Sequence, residues 1–410
     1  MGRRLLVFTE NYARGGGNRY CVDLVNALAT SYDEVILASN EGGIFPEDSA
    51  RLAGNVVVEK APFLTRSKAR HSLRHIPRIA RAPWLFVLSM AEPLLFRVNV
   101  RLLTRLILQT RPDCVLGCNG GYPAARATLA MVVAAHRCGI PAVLSVVSMP
   151  TPRGTSTSLY DRSIDARVWR SVRLVIVNAR AIADALTAQH DMPPALAKTI
   201  YNGLPDAPYT SERESSWTIG FVARLDKAKG VMVLLDAFKE LAAKWPKLTL
   251  RLIGQGDASA MLADRARELG IGPRVVASGY TDADIHPTLE SFRVYAFPSF
   301  HEGLPYSILE AMRAGCTIVS TAVGGIPEVL RDGREGVLVP ARDARALAEA
   351  IDRLLSDEET SSRLGRAARD RFERNYLISN VTEEAVRAFV DFGLLAGEQT
   401  SPRTKGAVTS

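Results

Sequence analysis

Disulfide frameworks need cysteines in pairs, and this chain of 410 residues has five, at Cys21, Cys114, Cys118, Cys138 and Cys316. The number is odd, the spacing irregular and most lie inside apolar runs, which reads as reduced core thiols in a cytoplasmic protein. Cys114 and Cys118 stand four apart with no second Cys or His pair at zinc spacing, so a metal site is not expected there. Long hydrophobic runs are missing too. A spanning helix needs about 20 apolar residues, whereas the apolar stretches 84–90 and 94–96 are split by Glu92-Pro93. At the start, Arg3-Arg4 is followed by an apolar run of only 5–8, too short for a signal peptide, and a first buried strand is expected instead. No Asp-x-Asp motif follows an apolar strand; Asp282-Ala283-Asp284 opens an expected helix.

What remains is ordinary for a globular chain. Apolar residues make up 47% and charged residues 23%, close to the soluble average, which excludes disordered and collagenous classes. At about 100 to 200 residues per domain, two domains are expected. The net charge of +8 is unevenly placed: residues 1–210 carry 25 Lys and Arg against 15 Asp and Glu, the remainder 26 against 28. A local basic surface of this kind suits an anionic partner. Its densest part is 64–111, where ten cations from Arg66 to Arg111 meet one acid, Glu92. Two readings stay open for it. One is an amphipathic segment on an anionic membrane, at about 1 kcal/mol per well-placed cation; the other is an excursion helix packed on the first domain. Aromatics are not interleaved with these cations, which argues against nucleic acid.

Short apolar runs alternate with amphipathic stretches. Runs at 5–8, 35–38, 56–58, 114–116, 142–147 and 174–177 read as buried strands, separated by helical patterns such as 18–30, 123–137 and 180–190. The rhythm breaks around 201–216, where Asn202-Gly203-Leu204-Pro205-Asp206 and a polar run form a linker. It restarts with strands at 218–222, 249–253, 275–277, 294–297, 317–320 and 337–339. Continuous apolar strands separated by helices imply parallel sheets covered on both faces. The expected architecture is α/β, two Rossmann-like doubly wound domains facing a central cleft, 1–205 and 206–380, with a helix at 381–397 packing back on the first domain and a disordered tail at 398–410. Ligands of such sheets sit beyond the carboxyl ends of the strands.

Three motifs carry chemistry. In His301-Glu302-Gly303-Leu304-Pro305-Tyr306, a strand ends, a short loop follows and a helix opens at Pro305, where proline is favoured. Free backbone amides near Gly303 and Leu304 then suit an anion, with Glu310 along the helix beside a ribose and Glu302 facing the group beyond the phosphates; the bland alternative is a helix cap plus one exposed acid. In Gly220 to Gly230, Arg224 and Lys229 follow a strand at its ligand-binding end, where cations suit a diphosphate that gains charge as its bond to a sugar breaks. The loop Arg14-Gly15-Gly16-Gly17-Asn18-Arg19 follows the first strand, with Asn18 as helix cap. A dinucleotide fingerprint needs glycine where Tyr20 stands, so this loop closes on phosphate or acceptor, or is a plain turn.

Arg224…Lys229-Gly230, Gly254-Gln255-Gly256, and Glu302 with Glu310 in an E-x7-E pattern resemble the retaining glycosyltransferases of family 4, which share the GT-B fold. The similarity is specific over most of 217–355. In the first half it rests on Gly15-Gly16-Gly17, Asn202-Gly203 and strand order. The resemblance implies that Arg224 and Lys229 bind the donor diphosphate, that Glu310 takes the ribose and that Glu302 takes donor sugar hydroxyls. Gly303 and Leu304 would then give backbone contacts, Gly279 and Tyr280 lie near the base, and Gly254 line the nucleotide pocket. Many relatives carry a histidine after the strand at 142–147; this chain has Val147 or Ser148 there, and His136 sits on an expected helix.

The implied activity is transfer of a sugar from a UDP- or GDP-linked donor, bound by 206–380, to a saccharide acceptor carried on lipid and bound by 1–205, in cell-surface polysaccharide or glycolipid synthesis. It would run without cofactor or obligatory metal, in the cytoplasm or on the inner membrane face. Alternatives are a catalytically silent nucleotide-sugar-binding assembly subunit and a sugar-phosphate-forming enzyme on the same fold.

Overall fold

The computed structural model describes residues 2–10, 15–40, 50–65, 91–154, 158–209, 216–281 and 284–395. The Val-, Ile- and Leu-rich runs become parallel strands because each needs apolar cover on both faces, which only crossover helices supply. Seven form a first sheet: β1 (Arg4–Thr9), β2 (Glu34–Ser39), β3 (Val56–Lys60), β4 (Cys114–Gly121), β5 (Ala142–Ser148), β6 (Leu174–Val177) and β7 (Ala197–Thr199), in the order β3-β2-β1-β4-β5-β6-β7. Six form a second: β8 (Ser216–Val222), β9 (Thr249–Ile253), β10 (Val275–Ala277), β11 (Phe292–Phe297), β12 (Ile318–Thr321) and β13 (Val337–Val339), in the order β10-β9-β8-β11-β12-β13. The protein therefore has two Rossmann-like α/β domains in series.

Two of the expected strands are edges with exposed side chains. Val57 and Val58 of β3 are 47% and 46% exposed, and Val276 of β10 is 53% exposed, because each sheet ends there and one side lacks a neighbour. The first glycine-loop helix begins earlier than its sequence suggests, at Gly16–Ala29. Gly15 is its N-cap, and Asn18 lies inside the first turn, where its backbone N–H donates to the Gly15 carbonyl. Pro305 is likewise the cap of helix Tyr306–Arg313 and not its first residue.

In each sheet the strand order reverses beside its first strand, between β1 and β4 and between β8 and β11. Loops leaving those strands open into a crevice. The two crevices face each other, since contacts join the carboxyl ends of both sheets. A Cβ on Gly303, after β11, would lie 2.4 Å from the carbonyl oxygen of Val147 on β5. The Glu328 carboxylate caps helix Arg180–His190 of the first domain, accepting from the backbone N–H of Arg180 and Ala181, both at 2.9 Å, and from the Tyr201 hydroxyl at 3.0 Å. The expected linker segment around Asn202 is packed: Asn202 is buried and donates to the Leu304 carbonyl at 2.7 Å. The last described helix, Ile378–Asp391, packs on helix Gly16–Ala29.

Among the described residues no helix is long and apolar enough to cross a membrane, and no cysteine forms a disulfide. The central part of the basic stretch (66–90), Arg14, the linker residues 210–215, Asp282 with Ala283, and the tail from 396 lie outside the described residues.

Candidate active site

After β8 the chain turns through a short helical turn, Lys227–Lys229, and leaves it through Gly230 in the left-handed region, φ 74°. This brings the loop hard against the loop after β11: the Phe300 amide donates to the Ala228 carbonyl at 2.8 Å, and Ser299 Oγ lies 3.2 Å from the same oxygen. The clamp places Lys229 Nζ 2.5 Å from Glu302 Oε1, which also accepts from Ser299 Oγ at 2.6 Å. The Glu302 side chain is 8% exposed and that of Lys229 19%. Lys229 also lies 5.9 Å from the centre of the Phe297 ring. A nearly buried carboxylate of this kind is held by its charge partner and a hydroxyl donor together.

Arg224 is not drawn into this pair. Its side chain is 60% exposed and meets Asp226 at 3.1 Å. Gly254, at φ 139°, sits where a Cβ would come within 1.9 Å of the Ala223 carbonyl oxygen, and its amide donates to the Gly279 carbonyl at 2.8 Å. The backbones of Gly254 and Gly279 thus form one wall beside Arg224, with Tyr280 half exposed at its rim. Gly303 and Leu304 precede helix Tyr306–Arg313. Leu304 is buried, so only its backbone can serve a ligand.

Glu310, one turn and more into that helix, meets the first domain. Its Oε1 accepts from Arg19 Nη1 at 2.6 Å. Gly16 faces the same helix, with a Cβ position 3.4 Å from the Tyr306 ring. The glycine loop therefore lies across the cleft from the E-x7-E helix. Val147 and Ser148 close β5 at the cleft, and His136 is exposed in the last turn of helix Arg126–Arg137, just before β5 begins and so at the opposite end of that strand.

Sequence reasoning missed Arg19, Asp23, Tyr306 and Glu10. The first four-residue spacing, Arg19 to Asp23, marks one helical face, as does Tyr306 to Glu310. Glu10 follows β1 and accepts from the Ala127 amide at 3.3 Å. Burial, with a smaller push from Glu92, raises its pKa to about 7. A carboxyl raised in the fold binds its proton there while the unfolded chain has lost it, so stability should fall as pH rises from 4.5 to about 7. Replacing Glu10 with Gln should flatten that stretch and stabilise the protein by roughly 3 kcal/mol at pH 8, read from urea unfolding at a series of pH values. An unchanged pH slope would show that Glu10 is not the titrating group.

Among the described residues no group of three or more His, Cys, Asp or Glu is placed to hold a metal ion.

The chain matches the family model described as Glycosyltransferase Family 4 over residues 14–207 and the model described as Glycosyl transferases group 1 over 208–371. It is 33% identical over 162 residues to the D-inositol 3-phosphate glycosyltransferase of Corynebacterium urealyticum, covering 35% of this chain and 36% of that protein. It is 34% identical over 143 residues to the lipopolysaccharide core biosynthesis glycosyltransferase LpsE of Rhizobium meliloti, covering 35% and 41%. The matched part is thus about two fifths of each relative's length. The crystal structure of Anabaena HepE in complex with UDP superposes with a TM-score of 0.74 at 18% identity, covering 94% of this chain and 99% of that one. That likeness shows the fold.

Proposed function

Because the chain belongs to glycosyltransferase family 4 and has its GT-B fold, we propose that it moves a sugar from a UDP- or GDP-linked donor to a lipid-linked saccharide, with retention and without an obligatory metal. The carrying observation is the Lys229–Glu302 pair at the switch point of the second sheet, directly before helix Tyr306–Arg313. A diphosphate at that helix tip meets backbone amides of Gly303 and Leu304 and two cations, Lys229 and the exposed, movable Arg224. Glu310 takes the ribose, and Gly254, Gly279 and Tyr280 line the base. Glu302 then takes hydroxyls of the donor sugar, while Gly15, Gly16, Gly17 and Asn18 close the opposite wall. The acceptor hydroxyl attacks the anomeric carbon on the face the leaving group departs from. One C–O bond forms as the bond to the phosphate oxygen breaks, and that oxygen takes the acceptor proton.

Two observations favour a lipid-borne acceptor. LpsE is named for lipopolysaccharide core synthesis. Helix Glu92–Thr110 also presents Leu94 and Leu108, more than 60% exposed, on one face with the exposed Arg97, Arg101 and Arg105, a pattern suited to an anionic bilayer surface. The decisive experiment is transfer of labelled sugar from UDP-glucose, UDP-N-acetylglucosamine and GDP-mannose to an anionic membrane lipid extract, beside soluble inositol phosphate. Transfer to lipid, lowered about 10- to 100-fold by Glu310→Gln, is expected. Transfer to the soluble acceptor alone overturns the lipid assignment; donor binding without transfer or hydrolysis overturns the activity and leaves a silent subunit.

A further inference from the structure

Arg19 reaches across the cleft from helix Gly16–Ala29 of the first domain to the carboxylate assigned above to the donor ribose. Its Nη1 donates to Glu310 Oε1 at 2.6 Å, and its guanidinium lies 4.6 Å from the centre of the Tyr306 ring. The Tyr306 hydroxyl donates to Asp23 Oδ2 at 2.8 Å, and the same oxygen stands 3.9 Å from Arg19 Nε. Arg19 and Asp23 are one turn apart on one helix, Tyr306 and Glu310 one turn apart on the other. Each domain thus supplies half of a four-residue box. Within it the ring and Asp23 fix the guanidinium plane, and the guanidinium fixes Glu310. Arg19 and Glu310 are 27% and 14% exposed, so the bond is shielded enough to hold a rotamer yet open on one side to a ligand.

A carboxylate has about four lone-pair sites on its two oxygens. One bond to arginine, on Oε1, leaves acceptor capacity for hydroxyls. The planar guanidinium also orients a carboxylate in a way that an ammonium does not. We infer that Arg19 is a positioning residue for the donor: it holds Glu310 ready for the ribose hydroxyls, and it does so only while the two domains are closed on each other. Ribose recognition then belongs to both domains, and the helix that carries the glycine loop registers a donor bound on the opposite one. This inference rests on Glu310 as the ribose acceptor.

The test compares, by calorimetry on the full chain, the tightest binder among UDP, GDP and ADP with its 2′,3′-dideoxy counterpart. Wild type should prefer the ribose form about 10- to 100-fold, the range of a hydrogen bond to a charged group. Arg19→Ala should bring that preference down to within about threefold while leaving the dideoxy affinity unchanged, with Arg19→Lys in between. Equal weakening of both ligands is the mark of a merely structural residue and overturns the inference, as does an unchanged preference in Arg19→Ala or Arg19→Lys. Tighter ribose binding in Arg19→Ala would make the arginine a competitor and also overturns it. Glu310→Gln separates the two levels: if it keeps the preference, or if none of the three nucleotides binds, the ribose assignment itself fails. If it loses the preference while both Arg19 variants keep it, only the role of Arg19 fails.

Discussion

Replacing Lys229 with alanine should lower kcat by about 10²- to 10³-fold, the effect typical of removing one preorganised group from a developing oxyanion. The donor KM should move far less, because the diphosphate gains its extra charge only as the glycosidic bond breaks. The ammonium sits in a partly buried site with its position set on three sides: Glu302 at 2.5 Å, the Phe297 ring, and the turn closed by Gly230. No reorganisation is needed when the charge appears. The same substitution strips a nearly buried carboxylate of its charge partner, which should cost about 1 to 3 kcal/mol of stability. The two effects separate in the double variant with Glu302→Gln. A neutral amide no longer needs the ammonium, so unfolding should return toward wild type while turnover stays lost. Steady-state kinetics and urea unfolding of wild type and the two variants check this, and a kcat within twofold of wild type in Lys229→Ala removes the proposed role.

The second-domain half of this arrangement was legible in the sequence for a local reason. Lys229 and Glu302 each follow a strand at its carboxyl end, and strand, loop and helix follow one another within a few residues. Their separation of 73 positions is bridged by the switch point, which the alternation of apolar runs already implied. The Arg19–Glu310 contact spans 291 residues and two domains, and no periodicity within either helix says which partner the exposed face will meet. Strand burial behaves likewise. A run such as Val56-Val57-Val58 announces a strand, but only the sheet order reveals that it forms an edge. Ala197-Lys198-Thr199 becomes β7 through pairing with β6 and carries no apolar signal of its own. Asn18 has the chemistry of a cap, but three successive glycines before it let the helix start sooner, at Gly16.

Gly230→Ala should be strongly damaging to the second domain, and Gly333→Ala shows why. Both glycines adopt the left-handed region, at φ 74° and 69°. A Cβ costs each of them about 1 to 2 kcal/mol in backbone strain. At Gly333 nothing lies within 4 Å of the new carbon, so that strain is the whole effect. At Gly230 the carbon would stand 1.8 Å from the Pro298 carbonyl oxygen and 2.7 Å from its carbon. Backbone cannot swing aside as a side-chain tip does, so the loops after β8 and β11 must separate, adding about 1 to 3 kcal/mol. Those two loops carry Lys229 and Glu302. Displacing them by about 1 Å is worth on the order of 100-fold in rate. Urea unfolding should therefore rank Gly230→Ala below Gly333→Ala, and turnover should collapse in the first while staying within about twofold in the second. Equal turnover in the two variants would mean that the close approach of these loops does not set the geometry of the site.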